Sequence, residues 1–149
     1  MKTDDEAVAR PEAGGARRPL RPVIDADERR ALFQAGVDHF SRGEHFEAHE
    51  CFEEIWRSSR PEPRDLFQGL VQIAAALHHF HVRQRPDVAL RVLRRGMWRL
   101  SALPPICSGV DLAALRLEMA IWDEVFTGAR PVPALPQLPI LDPGDFAGS

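Results

Sequence analysis

The segment 49–56, HECFEEIW, sets an imidazole, a carboxylate and an indole at intervals of four and three residues: His49, Glu53 and Trp56. At about 100° per residue, a helix brings the three onto one stripe, with His49 and Glu53 one turn apart. The same arc of roughly 180° holds Phe46, Ala48, Phe52 and Ile55, while Glu47, Glu50, Cys51 and Glu54 take the opposite side. A carboxylate and an imidazole amid large apolar groups must be paired, because burying either alone is costly. So placed, Glu53 is a candidate general base, with His49 orienting it or serving as the acid, as an acid/base hydrolase would require.

His45, His49 and Glu53 also recur at i, i+4 and i+8, a spacing from which zinc takes nitrogen and oxygen ligands, and His78, His79 and Glu118 are further donors. Against a metal stand the lack of HExxH, since position 53 is Glu, and the lack of the di-iron Glu-x-x-His pattern in this helix. No cofactor is expected. Cys51 falls on the polar side among acids, which raise a thiol's pKa, so it is a poor nucleophile.

These side chains need elements to hold them. At 149 residues, 44% hydrophobic and 28% charged, the chain suits one soluble globular domain with a real core. The sequence predicts an all-α fold, a compact bundle of about five helices. Residues 1–24 read as a disordered arm rich in Gly, Pro, Ala and Arg, 25–128 as the helical domain, and 129–149 as an extended, proline-rich tail lying on the bundle. Asp25 and Glu28 form a capping pattern for a first helix running to about residue 42, which buries Leu32, Phe33, Gly36, Val37 and Phe40 and ends at Gly43. A second helix covers about 44–58, and the SSRPEPR stretch makes a turn. A third covers about 65–84, a fourth about 86–102 from Pro86, and a fifth follows Asp111 as N-cap, with Val110 and Leu115 as a staple and Gly128 as its stop.

The third helix carries no Asp, Glu, Lys or Arg between 66 and 82. It is too short and too rich in Gln and His to span a bilayer, so it reads as a central helix covered by its neighbours. Gln68, Gln72, Ala75 and His79 occupy one stripe of it, within roughly 60° of each other. A short turn makes the second and third helices an antiparallel hairpin, in which this amide stripe can meet His49 and Glu53, with Gly69 and the alanines permitting close approach. The polar cluster is then His49, Glu50, Glu53, Trp56, Gln68, Gln72 and His79. Three readings stand: a solvent-facing stripe, a buried and fully satisfied network, or a small-ligand or catalytic pocket.

Arg91, Arg94, Arg95 and Arg99 share the outer face of the fourth helix with Trp98, a surface suited to a protein partner or a phosphate-bearing ligand. The simpler reading is a solvated arginine face with Trp98 under the tail. The net charge of −3 argues against nucleic acid and anionic membranes. Cys51 and Cys107 stand isolated, so reduced thiols and a cytoplasmic location are expected, and no apolar run follows the N-terminal basic residues to make a secretory signal.

GEHFEAHECFEEIWR followed by LFQGLVQIAAALHHF resembles the domain-of-unknown-function 309 family of small bacterial and archaeal helical proteins. The resemblance spans about residues 30–126 and singles out Gly43, Glu44, Phe46, Glu47, His49, Glu50, Glu53, Trp56, Gln68, Gly69 and Gln72. It implies an all-helical, roughly five-helix fold and no established activity. His45 departs from it, because the family tends to have Tyr or Phe there, and a metal site that includes His45 loses ground. The best reading of function is therefore a structural network or small-ligand pocket. The alternatives are a metal-dependent or acid/base enzyme using His49 and Glu53, and an interaction module on the Arg/Trp face.

Overall fold

Capping residues legible in the sequence fix most helix ends. In the computed structural model, which describes residues 24–58 and 61–141, α1 (Ala26–Ser41) opens on Asp25, whose carboxylate accepts the Glu28 amide at 2.7 Å. That meets one of the N–H groups a helix start leaves open. Gly43, at φ +79°, turns the chain in the left-handed region that suits glycine. α2 (His45–Ser58) starts directly after it. α4 is Pro86–Ser101, and α5 (Leu112–Phe126) begins at Asp111, whose carboxylate accepts the Ala114 amide at 3.0 Å. Val110 and Leu115 are both fully buried, as a staple requires, and Gly128 at φ +85° follows the end of α5.

Two elements differ from expectation. α3 runs Pro61–His81, so it starts within the stretch read as a turn and stops before residue 84, where Gln84 takes φ 55°. Prolines at 61 and 63 fit the first turn of a helix because the N–H groups they lack have no intrahelical acceptor there. The second is a short hairpin, β1 (Ile106–Cys107) with β2 (Val110–Asp111), paired antiparallel across Ser108 and Gly109. Both turn residues have positive φ, 50° and 82°, the geometry that two-residue hairpin loops demand. The tail extends this hairpin. The Asp111 amide donates to the Pro139 carbonyl and the Leu141 amide to that of Gly109, each at 2.9 Å, while Leu138 enters the core. The N-terminal arm to residue 23, residues 59–60 of the turn, and the tail beyond 141 lie outside the described residues.

α3 is the central helix that the charge-free stretch predicts. From Leu66 to Leu77 every residue but Gln68 is buried. It meets α1 through Phe33 and Phe67, α5 through Phe80 and Phe126 with ring centroids 4.9 Å apart, and packs lengthwise on both α2 and α4. Glycines set two of these approaches. A methyl group on Gly36 would lie 2.5 Å from the Phe52 ring, where α1 meets α2. One on Gly96 would lie 3.1 Å from both the Gly69 carbonyl oxygen and the Gln72 Cβ, where α3 crosses α4. Gly69 therefore serves the approach to α4, not the approach to α2 that the hairpin argument assigned it.

Among the described residues, no helix is long and apolar enough to cross a membrane.

Candidate functional site

α2 and α4 both lie along α3 but do not pack against each other. The stripe Gln68, Gln72, Ala75 and His79 runs along α3 between them. On the α4 side, Gln68 accepts from Arg99 Nη2 at 3.2 Å and Nε at 3.3 Å, its amide orientation being the one these donors require. Gln72 has its Cβ against Gly96. On the α2 side, His79 sits close enough to feel the charge of His49. Gln72 and His79 are only 5% and 8% exposed, which rules out a solvent-facing stripe.

His49 is nearly buried, with its ring stacked on Phe46 at 5.7 Å between centroids. Burial pushes its pKa down to about 4; the Glu50 carboxylate opposes this and His78 adds to it. His79 is also held at about 4, first by burial and then by His78, Arg83, Arg85 and His49. Both rings are neutral at pH 7. His49 Nε2 lies 3.9 Å from Glu53 Oε1, a separation that would count as an ion pair if the imidazole were charged. Since it is neutral, and 3.9 Å is too long for a hydrogen bond, the two groups are neighbours without a bond. Trp56 closes the other end of the stripe. The Arg64 guanidinium lies 4.9 Å from its ring centroid and donates to its carbonyl oxygen at 3.0 Å.

Three buried polar atoms on this side of α2 and α3, His49 Nδ1, Trp56 Nε1 and Gln72 Oε1, have no hydrogen-bond partner, nor do His45 Nε2 and Arg116 Nε elsewhere. A closed network would have paired them, since an unmet buried polar atom costs about 1–3 kcal/mol. The structure thus sets His49 beside Glu53 with His79 near them, while Trp56 turns to Arg64, Gln68 to Arg99 and Gln72 to Gly96, and Glu50 is exposed. Arg64 and Arg99 were missed as members. The expected start of the third helix at 65 left Arg64 in a turn, and Arg99 was assigned to the solvent face although it reaches Gln68 and, at 3.9 Å, Asp65.

His45 belongs elsewhere. Its ring packs against Phe40 at 5.2 Å and stacks on His81 at 5.6 Å, with Trp122 beyond His81. Among the described residues, no three His, Cys, Asp or Glu side chains gather into a group that could hold a metal ion. Glu118 instead accepts from Trp122 Nε1 at 3.3 Å, and burial raises the pKa of Cys51. On α4, Trp98 is 72% exposed, and the described part of the tail does not cover it. Arg94 is held by both carboxylate oxygens of Asp123, at 2.8 and 3.0 Å, while Arg91 and Arg95 are exposed.

Fold and site together define a small helical-bundle domain whose central hairpin carries His49, Glu53, Gln72 and His79. The family model described as Domain of unknown function (DUF309) matches residues 33–92, in agreement with the resemblance that the sequence motifs carry. The span holds every groove residue named above except Gly96 and Arg99, and leaves Trp98 outside. No curated protein matches the chain.

Proposed function

We propose that the domain binds a small polar molecule in the groove between α2 and α4, with His49, Trp56 and Gln72 as its contacts. The observation that supports this is the set of three buried, unpartnered polar atoms, two on α2 and one on α3. A domain stabilised for its own sake gains nothing from such atoms, whereas a bound molecule satisfies all three. Glu53, 3.9 Å from the neutral His49, supplies an acidic side chain to the site.

Gln72→Met tests this reading. Methionine keeps the unbranched stem against Gly96 and removes the buried amide. If Gln72 serves a ligand, the variant is as stable as the parent or more so, by up to about 1–3 kcal/mol in chemical denaturation. A loss of that size would instead mean that the amide closes a structural network, and would end the binding reading.

A further inference from the structure

We infer that the exposed stripe Arg91, Arg95 and Trp98 of α4 docks on the start of α2 in a second copy of this chain, where Glu47 and Glu50 stand beside Phe46.

Most charged side chains of the described residues are matched within the domain. Arg42 is paired with Glu44, Arg85 with Asp87, Arg94 with Asp123, Arg99 with Asp65 and Arg130 with Glu124. Arg64 and Arg116 donate to backbone carbonyls instead. Among the described residues, the arginines left with neither a hydrogen bond nor an ion pair at the side chain are Arg83, Arg91 and Arg95. The carboxylates so left are Glu47 and Glu50. Glu47 lies near His78 and Glu50 near His49, but both rings are neutral at pH 7 and offer no counter-charge. Arg83 lies near His78 and His79. The other four are exposed, and they form two sets of opposite sign on different helices.

Each set stands beside an exposed ring. Arg91, Arg95 and Trp98 are i, i+4 and i+7 of one helix, within roughly 60° of each other, and Trp98 is 72% exposed. Phe46, Glu47 and Glu50 span roughly 100° of α2, and Phe46 is 46% exposed. With the two helices antiparallel, the order Arg91, Arg95, Trp98 meets the order Glu50, Glu47, Phe46. The arginines are about 6 Å apart along the axis and the glutamates about 4.5 Å, a difference that long side chains take up. Exposed ion pairs hold little by themselves, so the buried rings supply most of the affinity and the charges fix the register.

The two signs decide the occupant. A nucleic acid or an anionic membrane would meet the arginines alone, and the net charge of −3 would oppose it. A second copy satisfies both sets.

Sedimentation velocity of the full-length protein over a dilution series tests this. The expected result is a weight-average sedimentation coefficient that rises with concentration in about 50 mM salt and rises much less in about 0.5 M salt. The charge reversals Arg91→Glu/Arg95→Glu and Glu47→Arg/Glu50→Arg should each abolish the rise. An equimolar mixture of the two reversed proteins should restore it, which also shows that both fold. Trp98→Ala should weaken association at least about tenfold, as loss of a central aromatic anchor does. A parent that stays monomeric throughout would overturn the inference. So would association that survives either reversal, because another face would then be responsible. Loss in both variants without recovery in the mixture would mean that these two helices do not meet each other, and would equally end it.

Discussion

His45 shows what burial does to a single side chain whose spacing suggests chemistry. At i−4 from His49 it looked like a metal ligand, but the chain turns it the other way, into the rings of Phe40 and His81, where it is 3% exposed. Burial, then His81 and His78, hold its pKa at about 4, and its Nε2 has no partner. An aromatic hydrocarbon ring fits this environment better, which agrees with the Tyr or Phe that the family resemblance implies at this position. His45→Phe should therefore stabilise the domain, by about 1 kcal/mol at pH 7 for removal of the unmet nitrogen. The gain should be larger at pH 5, where the unfolded histidine takes up a proton that the folded one refuses. Thermal melts at the two pH values check this; equal gains at both would show that His45 is not held neutral.

At the scale of elements, two glycines set the crossing of α3 over α4. Gly96 faces backbone on one side and the Gln72 Cβ on the other, so a side chain there has nowhere to go. Gly96→Val should cost about 1–3 kcal/mol in denaturant unfolding. Gly69→Ala should cost less, because the atom it meets first, Leu100 Cδ2 at 2.5 Å, is the end of a flexible side chain. Equal losses at the two positions would mean that Leu100 cannot yield. The sequence announced the central helix through its missing charges and the starts of α1 and α5 through their caps. It did not announce which neighbour Gly69 meets, because a small residue on a helix permits close approach from any partner. The start of α3 was hidden because prolines mark a turn and a first helical turn alike. The hairpin at 106–111 was hidden because two-residue strands carry no periodicity. Pairing within the groove was legible only as a set of residues on facing stripes. That three of their atoms lack partners depends on side-chain directions, which spacing does not fix.

Across the whole molecule, all six histidines lie at one end: His39 where α1 finishes, His45 and His49 in the first half of α2, and His78, His79 and His81 where α3 finishes. His45, His49 and His79 are held at about 4, and His78 is lowered as well. In the unfolded chain each would titrate near 6.5. Between pH 6.5 and 4 the unfolded state therefore binds more protons than the folded state, and stability falls as pH falls. Each histidine held neutral contributes up to about 1.4 kcal/mol per pH unit to the slope. The carboxylates with lowered pKa act in a different window. Glu44, bonded to His39 and Arg42, and Asp87, bonded to Arg85, lose their contribution only below an ordinary carboxylate pKa of about 4. A loss that begins near pH 6.5 thus belongs to the histidine end of the bundle. The melting temperature should be level above pH 7, drop steadily from 6.5 toward 4.5, and drop less in a His45→Phe, His79→Gln double variant. A parent profile that stayed flat down to pH 5 would mean that the imidazoles are reached by water and charge within the fold, and the groove would then be open rather than closed over unmet polar atoms.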